Sequence, residues 1–590
     1  MRNAKIVCTI GPASDSRETL TALADAGMSV ARMNASHGSP DHRRTVVDRI
    51  RDVDAASDRT VAAMHDLPGP EVRTAPLEEP IHLRSGSTVR FVEGTDATPE
   101  EIGISHGIDA VGRGDRVLLD DGRIETTVES VAGGVVTAHV ENGGKLGGRK
   151  GVNVPGVELG LPTVTEKDRR ELEVAADKEV DLVAASFVRD GEFVHEISRA
   201  LNELGADIPI VAKIERDVAV ENIDSIIDAA YGVMVARGDL GVEMPLENVP
   251  MIQKRIIRKC NDAGVPVITA TEMLDSMTSA RRPTRAESSD VANAVLDGTD
   301  AVMLSGETAM GDHPVRVVET MDRIVRDVED SPEHGESFEQ RVPDASETRA
   351  DALARSGRFL ASDIDAAAVV AATESGYTAL KAAKFRPPVP VVASTPNDDV
   401  RRRLALSWGV VPEVAPYTTE GPDTVISNAV QSALDRNVAE SGDTVVVLAG
   451  MMTELEGVNT SNILKIHVAA ETVGSGRSVV AGLVSGEFYW TDDGDLSGVP
   501  DGSILGIPAE FEGELVGDAG GLGGLVDARR GTERTATALA RECDLPAIVG
   551  ATVSEAVAEG DVVTLDAERG VVYEGALSTK IDDGTATATE

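Results

Sequence analysis

Cysteine is scarce in this 590-residue chain, which disfavours several classes of protein. The three cysteines, Cys8, Cys260 and Cys543, lie far apart with no paired spacing. They predict reduced thiols rather than a disulfide framework or a zinc site. No uninterrupted apolar run is long enough to span a bilayer, and Met1–Cys8 lacks the pattern of a signal peptide. We therefore expect a cytoplasmic protein.

Lysine is also scarce, whereas acidic residues are abundant. The chain has 12 lysines and 44 arginines against 100 aspartates and glutamates, and its net charge is −44. Such a surface repels nucleic acids and anionic membranes, so we expect neither as a partner. The acidic side chains also repel one another. Salt screens this repulsion, because the Debye length falls to about 3 Å at molar concentration. The composition favours adaptation to a high-salt cytoplasm over an acidic protein of an ordinary habitat.

Short apolar runs of strand character alternate with helical patterns over residues 1–330. The runs are Lys5–Ile10, Val30–Ser36, Val61–Asp66, Leu182–Val188, Pro209–Glu215, Gly232–Arg237, Pro266–Thr271 and Ala301–Gly306. Eight such β-α units predict an α/β protein built on a closed parallel TIM (β/α)8 barrel, with its site at the carboxyl ends of the strands.

Three further regions interrupt or follow the barrel pattern. A Gly-rich, β-like insertion after the third strand predicts a small domain that can cover the site as a lid. We assign residues 1–68 and 158–340 to the barrel, 69–157 to the lid, 345–470 to an α/β domain and 477–585 to a fourth domain. In the α/β domain, Thr373–Thr378 fits either an anion-binding turn or an ordinary helix N-cap.

Polar residues end nearly every predicted barrel strand, and these strand ends meet at one rim. The set is Arg32, Asn34, Ser36, His37, Asp66, Ser186, Lys213, Glu215, Arg237, Asp239, Thr271 and Glu272. Strand alternation directs Lys213 and Glu215 to the same side. A carboxylate can hold a divalent cation while an ammonium stabilises charge on a phosphoryl group or an enolate. With Asp239 as a second carboxylate, the pair predicts magnesium-assisted phosphoryl transfer.

Taken singly, these residues have simpler interpretations. Lys213 and Glu215 could form a surface ion pair, but the scarcity of lysine and the strand-end position favour catalysis. Thr271 could bond a substrate carboxylate, relay a proton, or only cap the next helix. His37 could bind phosphate or complete a loop. Gly238 lets the backbone approach a ligand closely, although glycines are common in loops.

Eight motifs resemble the pyruvate kinase family over about residues 1–470, in family order. They are Lys5–Pro12, Ala31–Gly38, Gly69–Arg73, Lys150–Gly156, Val211–Glu215, Met234–Gly241, Ala270–Met277 and Asp297–Ala309. The resemblance implies phosphoenolpyruvate and ADP as substrates in glycolysis. It also implies Mg²⁺ (or Mn²⁺) and K⁺ as cofactors, and a homotetramer.

The resemblance also assigns roles to matching residues. Those implied to act on phosphoenolpyruvate are Arg32, Lys213, Gly238, Asp239 and Thr271, and the catalytic ones among them are Arg32, Lys213 and Thr271. Those implied to contact the nucleotide are Asn34, His37, Arg73 and Lys150. Those implied to bind Mg²⁺ are Glu215 and Asp239, and those implied to bind K⁺ are Asn34, Ser36, Asp66 and the main-chain oxygen of Leu67.

Three positions near the lid bear on this resemblance. Leu67 stands where the family usually has Thr, but a main-chain contact survives that change. Pro68 replaces the usual Lys and is expected to alter the hinge of the lid. Glu71 is typical of potassium-dependent members, whereas independent members tend to carry Lys. We therefore expect dependence on potassium.

The fourth region resembles the swivelling phosphohistidine domain of phosphoenolpyruvate-utilising enzymes, in Ala538–Gly550 and Gly570–Gly575. Glu533-Arg534-Thr535 stands where that family has Thr-Ser-His, and no histidine follows His467. A structural or regulatory role is therefore expected rather than a phosphohistidine relay.

The residues count against three rival functions. The missing histidine counts against a phosphoenolpyruvate synthase-like phosphotransferase. The lid residues Arg73 and Lys150 count against a metal-dependent aldolase or lyase, which would not need them. The intact Lys213, Glu215, Asp239 and Thr271 count against a catalytically inactive sensor.

Overall fold

The computed structural model describes residues 2–345, 348–418, 421–450, 461–529, 533–554 and 557–577, with only the backbone described for Asp423 and 533–535. These residues form two compact units. The first runs to Ala352 and adds Glu374–Arg386 and Asn397–Pro412, and the second takes the other described residues.

Eight parallel strands of the first unit close into a barrel, which confirms the predicted fold. Its strands are β1 (Lys5–Ile10), β2 (Val30–Asn34), β3 (Ala62–Asp66), β13 (Leu182–Ala185), β14 (Ile210–Ile214), β15 (Gly232–Ala236), β16 (Val267–Ala270) and β17 (Ala301–Leu304). Seven of the predicted runs extend past these bounds, mostly at the carboxyl end. The polar residues that follow Asn34, Ile214, Ala236 and Ala270 therefore lie in loops or helix starts at the rim, because the backbone turns there.

Helices surround the barrel and connect its strands. They are α1 (Arg17–Ala26), α2 (Pro40–Ala56), α3 (Glu166–Asp177), α4 (Gly191–Glu203), α5 (Asp217–Glu221), α6 (Ile223–Ala229), α7 (Arg237–Glu243), α8 (Val249–Ala263), α9 (Arg285–Asp297), α10 (Gly306–Ala309), α11 (Pro314–Glu329) and α12 (Pro332–Gln340). Side-chain caps begin several of them: Ser16 caps α1 and Ser39 caps α2, while Thr165 and Thr284 form capping boxes on α3 and α9.

The alternation of side chains along each strand separates two apolar layers. Ala62 and Met64 of β3 belong to one buried cluster, and Ala63 belongs to the other, which packs against the surrounding helices. By strand alternation, Asp66 lies on the same side of β3 as Met64. Lys213 likewise lies on the same side of β14 as Val211, which belongs to the same cluster as Met64. The strands thus bring both charged side chains to one rim above an apolar interior.

The insertion after β3 is a β domain with its own apolar core, which includes Phe91 and Ile102. Its strands are β4 (Val72–Arg73), β5 (Ile81–Leu83), β6 (Thr88–Glu93), β7 (Glu101–Ile104), β8 (Arg116–Leu119), β9 (Ile124–Ala132), β10 (Val135–Asn142), β11 (Gly144–Leu146) and β12 (Gly151–Asn153). Seven of them form one sheet in the order β4-β12-β8-β9-β10-β6-β7, and β11 pairs with β5. We call this domain the lid.

An α/β region follows the barrel. It contains α13 (Arg349–Asp363), β18 (Ala368–Ala372), α14 (Tyr377–Lys384), β19 (Val391–Thr395), α15 (Asp398–Leu404), β20 (Val410–Val414), α16 (Pro422–Asp435), β21 (Thr444–Ala449) and β22 (Ile463–Val468). The strand order is β20-β19-β18-β21-β22. Gly376 precedes α14 with φ at +87°, and as a glycine it has no side chain to cap the helix. Anion binding at Thr373–Thr378 stays a prediction.

A second closed barrel follows in the second unit. Its elements are β23 (Thr472–Val480), β24 (Leu483–Trp490), β25 (Ile504–Ile507), β26 (Gly524–Asp527), α17 (Glu533–Glu542), β27 (Ala547–Val553), β28 (Val562–Asp566) and β29 (Val571–Glu574). The positions 533–535 that lack the expected histidine begin α17, but their side chains lie outside the described set. Across the described ranges, no helix combines the length and the apolarity needed to cross a membrane.

A buried lysine makes the stability of the first unit depend on pH. Lys5 Nζ donates to the main-chain oxygen of Val410 at 2.7 Å. Burial, together with the nearby Arg2, lowers the pKa of Lys5 to about 7. Because an unfolded lysine has a pKa of about 10.4, only the unfolded chain binds this proton between about pH 7 and about pH 10. Stability therefore rises with pH across that window and is lost as pH falls through it.

We expect Lys5→Met to remove this dependence. The free energy of unfolding of the variant minus that of the wild type should decrease by about 3 kcal/mol between about pH 7 and about pH 10. The free energy of unfolding from urea titrations measures the difference. Lys178→Met, which removes an exposed pair with Asp48, is the matched control. Parallel pH profiles for Lys5→Met and the wild type would contradict this account.

Candidate active site

Buried side chains of alternating charge meet at the rim of the first barrel. Lys213 Nζ lies 2.8 Å from Glu215 Oε1 and 3.5 Å from Asp66 Oδ1, and it donates to Ser186 Oγ at 2.7 Å. Arg32 Nε donates to the other oxygen of Asp66 at 2.6 Å. Because buried charges are costly unless paired, this alternation holds both cations and both carboxylates in place.

The same contacts set the protonation of two of these groups. Burial opposes the charged form of Lys213, but the carboxylates of Asp66 and Glu215 outweigh it and raise the pKa of Lys213 above its ordinary value. Burial likewise opposes the carboxylate of Asp66, but the charges of Arg32 and Lys213 outweigh it and lower the pKa of Asp66. Lys213 is therefore a permanent ammonium at neutral pH, suited to charge stabilisation rather than to proton transfer.

Asp239 lies in the first turn of α7 and completes the charged group. Burial, with the charge of Glu215 and despite that of Lys213, raises the pKa of Asp239 to about 7. Two carboxylates that repel each other in a buried site are stabilised by a cation between them. Glu215 and Asp239 are thus the pair that could hold a metal. In the described part of the chain, no three His, Cys, Asp or Glu residues gather as a metal cluster.

Thr271 is held in a strained conformation beside α7. Thr271 and Glu272 have φ of +68° and +53°, which is rare for a β-branched residue such as threonine. The Thr271 hydroxyl accepts from the Gly238 N–H at 2.8 Å, which brings these two predicted substrate residues together. Arg237 donates to the main-chain oxygens of Ala270 at 3.1 Å and Thr271 at 2.5 Å.

Sequence reasoning placed Arg237 on the rim but gave it no role. Its guanidinium also pairs with Asp290 at 2.6 Å. Arg237 therefore links α9 to the strained turn after β16 and fixes Thr271. No sequence signal could have identified this role, because the partners of Arg237 in the turn are main-chain oxygens of another segment.

The four predicted potassium residues lie at or just after the carboxyl ends of the neighbouring strands β2 and β3. Asn34 and Asp66 are register partners in the sheet. Asn34 Oδ1 accepts from the Ser36 N–H at 3.0 Å, and the main-chain oxygen of Leu67 accepts from Ser186 Oγ at 2.8 Å. Their oxygen atoms are the ligand type that alkali and alkaline-earth cations prefer.

The predicted nucleotide residues lie on both the lid and the barrel. Arg73 pairs with Glu71 at 2.5 Å, and Lys150 pairs with Asp120 at 2.8 Å. Burial, followed by the charges of Arg73 and Lys167, lowers the pKa of His37. The lid residue Arg73 thus acts electrostatically on the barrel loop that carries His37. A cleft nearby is lined by lid residues, Glu71 among them, and by Asp239 of the barrel.

Three main-chain N–H contacts at the rim were not predicted. The Phe187 N–H donates to Glu215 Oε2 at 2.5 Å, with Phe187 at φ +57°. Buried Glu307 accepts from the N–H groups of Leu274 and Ser305, at 3.2 and 2.6 Å. An acidic residue in an otherwise small and apolar motif was the available signal for Glu307, but its partners depend on the fold.

The fold and the rim together define a class of protein: a closed parallel α/β barrel that carries a pair of carboxylates and buried basic groups at the carboxyl ends of its strands. Family models describe three regions of the chain: "Pyruvate kinase, barrel domain" matches residues 1–318, "Pyruvate kinase, alpha/beta domain" 351–467, and "PEP-utilising enzyme, mobile domain" 499–570.

Curated relatives agree with these matches. The chain is 42% identical to a pyruvate kinase of Geobacillus stearothermophilus over 98% of this chain and 99% of the relative. It is 39% identical to that of Bacillus licheniformis, over 98% and 100%, and 40% identical to that of Staphylococcus epidermidis, over 98% and 99%. The chain belongs to the pyruvate kinase family, as its motifs predicted. Members of this family depend on a metal.

Proposed function

We propose that the charged group around Lys213 is the place where this enzyme transfers phosphate. The overall reaction follows from family membership: phosphate passes from phosphoenolpyruvate to ADP, and pyruvate and ATP form in glycolysis. The observation that carries the proposal is the buried contact of Lys213 with Glu215 and Asp66. It places a permanent ammonium beside a carboxylate that a divalent cation could share with the substrate.

Glu215 and Asp239 would hold Mg²⁺ or Mn²⁺, since hard carboxylate oxygens suit these ions and phosphate or water can complete the shell. When bound, the cation supplies charge neutralisation for the phosphoryl oxygens and for the developing enolate. The remaining steps belong to side chains of this chain.

Arg32 and Lys213 orient the phosphoryl group by charge, with both held still by Asp66. Gly238 and Asp239 at the start of α7 would seat phosphoenolpyruvate together with Thr271, whose hydroxyl accepts from the Gly238 N–H. After transfer the enolate must gain a proton at carbon. Thr271, or a water that it holds, delivers that proton, since a threonine hydroxyl can pass a proton that it receives from solvent.

Asn34, His37, Arg73 and Lys150 would contact the nucleotide phosphates from two sides of the cleft. Asn34, Ser36, Asp66 and the main-chain oxygen of Leu67 would bind K⁺. In support, Arg73 lies close enough to His37 to lower its pKa, and Asn34 pairs with Asp66 in the sheet.

Removing potassium is expected to lower the rate about a hundredfold, because a charge that stabilises the phosphoryl group is lost. The measurement compares pyruvate formation in KCl and in tetramethylammonium chloride at equal ionic strength. Glu71→Lys should largely restore the rate without potassium, because it places an ammonium next to Arg73 where Glu71 now lies. Glu79→Lys, an exposed change on the same domain, should restore nothing.

Equal rates in the two salts would remove potassium from the mechanism. Rescue by Glu79→Lys as well as Glu71→Lys would show that only the net charge of the lid matters.

The remaining features of the proposal concern the whole protein. We infer a homotetramer working in a high-salt cytoplasm, divided into the four domains at 1–68 with 158–340, 69–157, 345–470 and 477–585. The net charge of −44 supports the salt adaptation. Light scattering tests the tetramer, limited proteolysis tests the boundaries, and activity against KCl concentration tests the salt requirement. In the fourth domain, the missing histidine supports a structural or regulatory role.

A further inference from the structure

A buried polar network lies behind the rim, and none of its side chains is among the site residues described above. It consists of Arg43 on α2, Glu171 on α3 and His65 on β3, which we call the Arg43 network. Arg43 Nε donates to Glu171 Oε2 at 2.8 Å, and a second nitrogen of Arg43 contacts the other oxygen of Glu171. His65 Nε2 lies 3.0 Å from Glu171 Oε2.

All three side chains are almost inaccessible: Arg43 is 4% exposed, Glu171 2% and His65 0%. Burial opposes the charge of Glu171, but its hydrogen bonds with His65 and Arg43 outweigh it and lower the pKa of the carboxyl. Burying two charges costs several kcal/mol per ion before pairing. An apolar core would serve stability at least as well, so stability alone does not account for a charged network at this position.

The network reaches the site through one contact. The remaining nitrogen of Arg43 donates to the main-chain oxygen of His37 at 2.6 Å. A planar guanidinium presents its donors in a rigid fork, so two donors bound to Glu171 fix where the third points. His37 belongs to the loop Asn34–Gly38, which carries the residues proposed for potassium and nucleotide.

The other end of the network holds a neighbouring strand. His65 precedes Asp66 on β3, and its side chain faces the helices while Asp66 faces the rim. Asp66 is the register partner of Asn34. Glu171 therefore connects, through Arg43 and His65, the loop after β2 with the strand end whose oxygens share the proposed potassium site.

We propose that Arg43 is a positioning residue for phosphoryl transfer: it holds the main chain at His37 so that the Asn34–Gly38 loop presents its oxygen atoms to potassium and the nucleotide. This proposal rests on the proposed roles of that loop. Arg43 touches no reacting atom, and Glu171 serves to aim its guanidinium.

The test uses the full-length enzyme and two substitutions. Arg43→Met removes every contact of the guanidinium. Arg43→Lys keeps a positive charge for Glu171 but cannot bind the carboxylate at two points and reach His37 as well. Loss of a contact that orients a ligand-binding group, without touching the ligand itself, typically changes affinity about 10–100-fold. We therefore expect both variants to raise the KM for ADP and the potassium activation constant about tenfold, with the KM for phosphoenolpyruvate within about twofold of the wild type.

Arg51→Met is the matched control. Arg51 lies on the same helix and also binds one carboxylate and one main-chain oxygen, those of Asp181 and Glu179, both at 2.6 Å. Neither partner belongs to the Asn34–Gly38 loop, so all three constants should stay at their wild-type values. Binding without turnover gives a second readout: KCl should raise the melting temperature of Arg43→Lys less than that of the wild type, and ADP should bind more weakly by calorimetry.

Unchanged constants for ADP and potassium in folded Arg43→Lys would overturn the proposal. So would an equal change in Arg51→Met, or an equal rise of all three constants. If the wild type shows no response to potassium, the potassium assignment fails by itself, and the ADP constants still decide the role of Arg43.

Discussion

Lys213→Met is expected to lower kcat about a hundredfold to a thousandfold, with the fold retained. The ammonium is the permanent positive charge nearest to Glu215, and removing one such electrostatic group typically costs two to three orders of magnitude. The fold should survive because each partner keeps another contact. Asp66 retains Arg32, and Glu215 retains the Phe187 N–H.

The measurement is coupled detection of pyruvate and ATP formation, with circular dichroism and the melting temperature to check the fold. Lys178→Met removes a lysine of an exposed ion pair elsewhere on the barrel and should keep wild-type kcat. Retained phosphoryl transfer in folded Lys213→Met would take Lys213 out of the role assigned to it.

Asp239→Asn is expected to weaken Mn²⁺ binding by more than about a hundredfold and to reduce activity in proportion. Outer contacts of a metal site already account for about 10–100-fold, so a direct ligand should account for at least as much. The substitution keeps the size and removes the charge, which also relieves the repulsion with Glu215 that raises the pKa of Asp239. The free protein should therefore be no less stable.

Paramagnetic titration of Mn²⁺ measures the affinity directly and does not require turnover. Asp224→Asn, which affects an exposed pair with Lys259, tests whether a general reduction in acidic charge has the same effect. Wild-type Mn²⁺ affinity in Asp239→Asn would remove Asp239 from the metal site, whatever its activity.

Much of the rim was predictable because the signals are local. The alternation that puts Val211 and Lys213 on one side of their strand can be recognised from consecutive residues, and so can the change to helical spacing that follows. Cap residues such as Thr165 and Thr284 lie within a few positions of the helices that they begin. The strand ends were less predictable, because at Thr271 the backbone enters a conformation that a β-branched residue rarely adopts.

Contacts between distant segments could not be predicted in this way. Arg237 holds the oxygens of Ala270 and Thr271, and Arg43 holds that of His37. Main-chain oxygens carry no residue identity, so no sequence motif marks an arginine that binds them. The ion pairs of Arg73 with Glu71 and of Lys150 with Asp120 could likewise not be predicted from the sequence.

By itself, the sequence determined the barrel, the inserted β domain and the residue types at the rim, since strand and helix periodicity and short motifs are properties of neighbouring residues. Only the tertiary structure decided how those residues share their charges. It surrounded Lys213 with Asp66, Glu215 and Ser186 from the ends of three strands, and it buried the Arg43 network behind them. The physical reason is that pairing and burial depend on which surfaces face each other after the barrel closes.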